Sequence, residues 1–264
     1  MMQLFREIFK PALNYLSASE YREWMTVKSV CRKKGKGNAV TLKIAGFSVT
    51  GHDAESFLHQ YEEIFVQRAF ETDFESDKPI IICCGANIGL EIFLLKKQYP
   101  QCKIKAFEAD PEIAKMLKQN IEVNHLQDVE VISAAVWIEN GTIAYQADGA
   151  LGGKTGIGEI SIPSVRLAYQ LNEFANIDLL IMDIEGAETA VLQDCKEQLS
   201  RVNKLFVEWH GNENTKQNLD ELLLLLNSAG FRYRLNNKLP PAPFKNRIIE
   251  NGFDAMVEIY AERI

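Results

Sequence analysis

The chain of 264 residues predicts an α/β fold, a Rossmann-like doubly wound and mainly parallel sheet, on three observations. The run Ile80–Cys84 is short, wholly apolar and stopped by Gly85, the pattern of a parallel strand buried on both faces. A second run ends in Phe107 and Glu108, so a carboxylate closes the neighbouring strand. Further strand patterns at 129–134, 177–183 and 204–210 then alternate with helical segments, as parallel strands with crossovers require.

Element by element, residues 1–78 read as an accessory region and 79–264 as the main domain. Leu4, Phe5, Ile8 and Phe9 share one helical face before Pro11. Arg32, Lys33, Lys34, Gly35, Lys36 and Gly37 read as a solvated basic turn. A hairpin is expected over 40–50, turning at Ala45 and Gly46, and a helix over 53–70 presents Phe57, Leu58, Tyr61, Ile64, Phe65 and Ala69 on one face. That face packs on the main domain or roofs its pocket.

After the second strand, Asp110 is a good N-cap and Pro111 suits a first helical turn, which predicts a second helix over 111–124. Extra strands at 141–145 and 159–165 flank the glycine-rich loop 148–158. Its Gly152, Gly153, Lys154 and Thr155 fall short of a P-loop, because Asp148 stands where the first glycine belongs and no strand–loop–helix context surrounds it. Leu219, Leu222, Leu223 and Leu226 follow helical spacing ahead of Gly230, and 231–235 pairs with 254–260 in a terminal antiparallel hairpin. Pro240, Pro241 and Pro243 keep the connection 236–253 out of regular structure.

The turn Gly85, Ala86, Asn87, Ile88, Gly89 discriminates between cofactors. A dinucleotide fingerprint wants G-x-G-x-x-G, and here Asn87 holds the middle position with no third glycine in phase. Asn tolerates a left-handed backbone, so the turn survives while the pyrophosphate pattern does not. A ligand with one ribose and no phosphates, such as S-adenosylmethionine, fits better than NAD. Glu108 is then placed to accept hydrogen bonds from ribose hydroxyls.

Asp183, Ile184, Glu185, Gly186, Ala187 and Glu188 place carboxylates at the next strand end. Together with the glycine turn and Phe107-Glu108, in this order and at these separations, they resemble the FkbM-type family of S-adenosylmethionine-dependent methyltransferases over residues 80–210. The resemblance implies that Gly85, Ala86, Asn87 and Gly89 form the loop under the methionine part, that Glu108 and Ala109 flank the ribose, and that Ser133 and Ala134 edge the adenine. It places Asp183 where methyl donor and acceptor meet. One departure stands out: the family usually has an acid where this chain has Cys83. A thiol on an apolar strand stays protonated and does not replace that charge.

Glu208 and His210 arrive on the last parallel strand beside Asp183. Methyl transfer rests on alignment and exclusion of water, and an alcohol acceptor must also lose a proton. His210 is the expected base, with an ordinary pKa of about 6.5, while Asp183, Glu185 or Glu208 orients it or takes the proton instead. The same acids with His210 form an alternative cradle for a divalent cation, although no resident metal is assigned. Glu185 and Glu188 also suit helix capping.

Composition narrows the partners. The net charge of −7 argues against broad binding to nucleic-acid phosphates and favours a small acceptor. Five cysteines without a C-x-x-C pair read as reduced, buried thiols of a cytoplasmic protein. No apolar run approaches the ~20 residues of a membrane span. The expected activity is O-methylation of a hydroxyl on a small metabolite, sugar or natural-product intermediate. A catalytically silent cofactor-binding module and a nucleotide-dependent oxidoreductase are the alternatives, and the oligomeric state stays open.

Overall fold

A computed structural model describes residues 16–146, 154, 155, 160–237, 245, 249 and 252–263. The helix expected at the start lies outside them. The first described helix, α1 (Ala18–Lys34), runs through the basic segment that the sequence reads as a turn; the chain turns only at Gly35 and Gly37. Local chemistry explains it: Ser17 and Glu20 form a capping box, Arg32, Lys33 and Lys34 complement the C-terminal dipole, and Trp24, Val27 and Cys31 face inward.

Strands β1 (Val40–Ile44) and β2 (Phe47–Gly51) form the expected hairpin, with Ala45 and Gly46 both at positive φ as its tight turn requires. Asp53 caps α2 (Ala54–Tyr61) by accepting from the Ser56 amide at 2.7 Å. The expected single helix over 53–70 changes register here, since Glu62–Val66 winds as a π turn. Of its predicted face, Phe57, Tyr61 and Ile64 are buried in the core. Burial of a large apolar side chain such as Phe57 is worth about 1.5–3 kcal/mol, which fastens the hairpin and α2 to the sheet.

The central sheet comprises β3 (Ile80–Cys84), β4 (Lys103–Glu108), β5 (Val129–Ser133), β10 (Ile177–Met182), β11 (Val202–Asn212), β12 (Phe231–Asn237) and β13 (Phe253–Arg263). Its order is β12-β13-β11-β10-β3-β4-β5, parallel except for β13, which runs antiparallel to both neighbours. Helices α3 (Leu90–Gln98) and α4 (Pro111–Val123) follow β3 and β4. Winding reverses between β3 and β10, so the crevice at the carboxyl ends of these two strands is where such sheets bind ligands.

Alternation along β3 assigns its side chains to two cores. Ile81 and Cys83 join Trp24, Phe57 and Tyr61 on one face, whereas Ile82 and Cys84 join Leu180, Met182 and Val207 on the other. All five cysteines are buried and free.

A second sheet of β6 (Ala135–Trp137), β7 (Gly141–Gln146), β8 (Lys154–Thr155) and β9 (Ile160–Arg166) accounts for the extra strands. Lys154 and Thr155 pair with Gln146 and Tyr145, so they sit in a strand and not at a helix start. Most of the 148–158 loop and of the 236–253 connection lies outside the described residues. Between the sheets and the C-terminal hairpin come α5 (Leu167–Leu171), α6 (Glu188–Asp194) and α7 (Leu219–Ser228), the last burying Leu222 and Leu226 before Gly230. No helix among the described residues is long and apolar enough to cross a membrane.

Candidate active site

The glycine turn is tied to both neighbouring strands by backbone. The Gly85 and Ala86 amides both donate to the Phe107 carbonyl at 2.9 Å, and the Asp183 amide donates to the Cys84 carbonyl at 3.0 Å. Gly85 has φ of +82°, and a Cβ there would lie 1.8 Å from the Asp183 carbonyl oxygen. Only glycine permits that approach. At Gly89, φ +87°, a Cβ would lie 2.5 Å from Leu117 Cδ1, so glycine lets α3 start directly under the turn.

Glu108 is held by the same backbone. Its Oε2 accepts from the Asn87 amide and its Oε1 from the Asp110 amide, both at 2.8 Å. Burial pushes its pKa up to about 7 against the pull of these bonds. Ser133 stands beside it in register on β5, Ala134 is buried next to it, and Ala109 packs on Ala135 and Tyr145 of the small sheet.

Asn87 takes the left-handed conformation at φ +45°, and its Oδ1 is buried with no hydrogen-bond partner. Glu91 Oε1 is buried without a hydrogen bond as well, and Asp183 Oδ1 makes none although it lies 4.0 Å from His210 Nε2. The open acceptors of Asn87 and Glu91 beside the turn fit a ligand rich in donors and positive charge. S-adenosylmethionine, with ribose hydroxyls, an ammonium and a sulfonium, has that character, so these residues fit it.

The second half of the site surrounds His210 on β11. Its Nδ1 lies 3.1 Å from Glu188 Oε1, while its Nε2 lies 3.7 Å from Glu185, 3.8 Å from Glu208 and 4.0 Å from Asp183. The Phe253 ring covers the imidazole with centroids 4.9 Å apart. Burial lowers the His210 pKa, but the hydrogen bond to Glu188 and the charges of Glu188, Asp183 and Glu185 outweigh it and raise the value to about 10. Depth in the protein, then the charge of Glu185, lifts Asp183 well above the carboxylate range despite the opposing pull of His210.

His210 is therefore an imidazolium at neutral pH, which differs from the free base with ordinary pKa that the sequence suggested. Four acids around one ring make the difference. Asp183 adjoins both the end of β3 and His210. Asp183, Glu188 and His210 also offer three ligand atoms within 4.8 Å of one another, a set that suits a divalent cation. A separate cavity of about 150 Å³ lies at the opposite ends of β10 and β11, lined by Thr72, Leu179 and Lys204, away from these groups.

A family model described as the methyltransferase FkbM domain matches residues 84–233, more than half of the chain. The chain belongs to the FkbM methyltransferase family. Methyltransferase sdnD of Sordaria araneosa is 28% identical, with 52% of this chain and 68% of that protein covered. The 2-O-methyltransferase NoeI of Sinorhizobium fredii is 24% identical, with 61% and 75% covered. The crystal structure of methyltransferase FkbM from Methylobacillus flagellatus superposes with a TM-score of 0.50 at 16% identity, covering 76% of this chain and 48% of that one, which shows the shared class I methyltransferase fold.

In this FkbM methyltransferase the structure gathers all the sequence-named residues into two adjoining groups. Gly85, Ala86, Asn87, Gly89, Glu108, Ala109, Ser133 and Ala134 lie at the ends of β3, β4 and β5, and Asp183, Glu185, Glu208 and His210 at the ends of β10 and β11. The sequence suits Glu188 to helix capping, but the N-cap of α6 is Ala187 with no side-chain cap bond; Glu188 instead accepts the Gly186 amide at 2.9 Å and holds His210. Sequence reasoning passed over Glu91 altogether. A signal existed: Glu91 is the one acid in the otherwise apolar run 90–95, which the structure buries.

Proposed function

We propose that this protein transfers a methyl group from S-adenosylmethionine to a hydroxyl of a small molecule, such as a sugar, metabolite or natural-product intermediate. The observation that carries the reading is the backbone bond between Asp183 and the glycine turn, which makes the cofactor cradle and the acceptor acid one rigid unit. Bound S-adenosylmethionine supplies an electrophilic sulfonium methyl. Glu108 accepts from the ribose hydroxyls, using lone pairs that its two backbone donors leave open. Asp183 accepts the proton of the attacking hydroxyl, while the His210 imidazolium, fixed by Glu188 and covered by Phe253, keeps the surrounding acids in place. Alignment of this kind supplies most of the acceleration in a methyl displacement.

The relative NoeI, a 2-O-methyltransferase, supports O-methylation, and the net charge of −7 supports a small acceptor over a nucleic acid. Buried, unpaired thiols agree with a cytoplasmic setting. Residues 79–264 are the catalytic domain in this reading, with the earlier region as an accessory. Calorimetry with S-adenosylmethionine and with NAD, followed by mass spectrometry over a panel of hydroxylated acceptors, tests it. A methyl gain of one acceptor is the expected result; absence of S-adenosylmethionine binding overturns the reading, and binding without transfer across the panel favours a silent module.

A second reading rests on the three ligand atoms of Asp183, Glu188 and His210: a divalent cation there would acidify the acceptor hydroxyl. Turnover that disappears on chelation and returns with magnesium would select it. Turnover unaffected by chelation selects Asp183 as the proton acceptor.

A further inference from the structure

Glu91 is a buried titratable group that the proposed reaction leaves unused. It is the second residue of α3, only 7% exposed, and its Oε1 has no hydrogen-bond partner. Acids are common in a first helical turn because they meet the dipole there, but such acids face water. This one is closed in by an otherwise apolar segment, with Leu90, Ile92, Phe93, Leu94 and Leu95 all buried. A buried carboxyl oxygen without a partner is destabilising, so Oε1 is open to a donor that a ligand brings.

Its surroundings say which kind. Glu91 is two residues past Gly89, in the first turn of the helix that begins at the glycine turn, and it bears electrostatically on Cys83 of β3 and Glu108 of β4, so it belongs to that end of the crevice and not to the His210 group. The charges that bear on it are acidic, and burial lifts its pKa to about 8, which leaves it a neutral acid when the site is empty. The Cys83 thiol beside it is also pushed well above its ordinary value by burial, so the strand contributes no charge. The start of α3 therefore supplies a carboxyl beside the turn whose Oε1 is open to a cation.

We propose that Glu91 binds the α-ammonium of the cofactor's amino-acid end, a carboxylate contact delivered from the start of α3 at a site where β3 presents Cys83. This rests on the cofactor reading given above. The ammonium fills the vacant valence of Oε1, and Glu91 gives up its proton as the cation arrives. The carboxylate end of the same zwitterion is left to the amides at the start of α3. The nucleoside end remains with Glu108, which makes the two acids separable by ligand.

Calorimetry at neutral pH on the intact chain separates them, using S-adenosylmethionine and methylthioadenosine, a nucleoside thioether without the amino-acid end. Glu91→Gln is expected to weaken S-adenosylmethionine binding by about tenfold or more while methylthioadenosine stays within about twofold. The wild type should release a proton on binding S-adenosylmethionine, seen as a dependence of heat on buffer ionisation, and Glu91→Gln should lose it. Cys83→Asp combined with Glu91→Gln should regain part of the affinity, because it restores a carboxyl to the same end of the crevice. Unchanged S-adenosylmethionine affinity in Glu91→Gln overturns the assignment, and so does an equal loss for both ligands. A wild type that binds neither ligand overturns the cofactor reading together with this one, so the two failures are told apart by the wild-type titration.

Discussion

The two halves of the crevice hold their acids in opposite ways. At the ends of β3 and β4, backbone amides do the holding: Glu108 takes one from Asn87 and one from Asp110, and the turn itself hangs on the Phe107 carbonyl. At the ends of β10 and β11, side chains hold side chains, with His210 within 4.0 Å of Asp183, Glu185, Glu188 and Glu208. A backbone-built site tolerates no change in chain path but accepts changes of side chain. A side-chain-built site is the reverse, and its charges are coupled, so its variants should act through rate and pH more than through folding.

The largest expected effect breaks the backbone half. In Gly85→Ala the new Cβ meets the Asp183 carbonyl at 1.8 Å, in a conformation that already disfavours any other residue. Overpacking and left-handed strain together are worth at least about 3 kcal/mol, which lowers the melting temperature on the order of 10 °C. Thermal unfolding of the purified variant checks this. A melting temperature within a degree or two of wild type would show that the β3 turn and Asp183 are not rigidly joined.

The next effect belongs to the side-chain half. Asp183→Asn leaves the backbone bonds of the turn intact and removes the proposed proton acceptor. Methyl transfer should fall about 100- to 10,000-fold, the range for a lost general base, with cofactor binding retained. Single-turnover rates beside calorimetry separate these quantities. An equal loss of affinity and rate would move Asp183 from proton transfer to cofactor binding.

His210 tests the coupling of charges. Its folded pKa, about 10, lies above the ordinary value of 6.5, so its stabilisation is fully present below pH 6.5 and is lost as pH rises through about 10. Wild-type melting temperature should fall across that window, and His210→Gln should show a flatter profile. The variant is also less stable at neutral pH, by about 3 kcal/mol, because Glu188 loses its buried partner. Parallel profiles for the two proteins would mean that the imidazole is not the cation of the cluster.

The same contrast explains what could be read from the sequence. The glycine turn, Glu108 and the hairpin at Ala45 and Gly46 depend on local backbone conformation, which glycine, asparagine and alternation announce directly. Helix α1 was equally local, through Ser17 and Glu20, yet its polar surface hid it: only Trp24, Val27 and Cys31 face inward. The His210 cluster was half readable. Strand ends located Asp183, Glu185, Glu208 and His210, but the imidazolium state required distances among residues up to 27 positions apart, which no spacing encodes. Glu91 needed the burial of 90–96 in α3, and that burial depends on the sheet and on the hairpin and helices before it closing over it.

The smallest effect probes where backbone and side chain meet. Asn87 donates its amide to Glu108, holds φ at +45° and leaves Oδ1 unpartnered. Asn87→Gly keeps the amide and relieves left-handed strain of about 1 kcal/mol. Glycine's greater freedom when unfolded returns roughly 0.5–1 kcal/mol of destabilisation, so the two nearly cancel. Stability of the empty protein should therefore stay within about 0.5 kcal/mol of wild type by denaturant titration. Affinity for S-adenosylmethionine should still fall, by about fivefold, because one neutral hydrogen bond to the ligand is gone. If affinity is unchanged while stability holds, the turn contributes backbone alone and Oδ1 faces no ligand; a fall in both would place Asn87 in the support of Glu108, where the backbone half of the crevice begins.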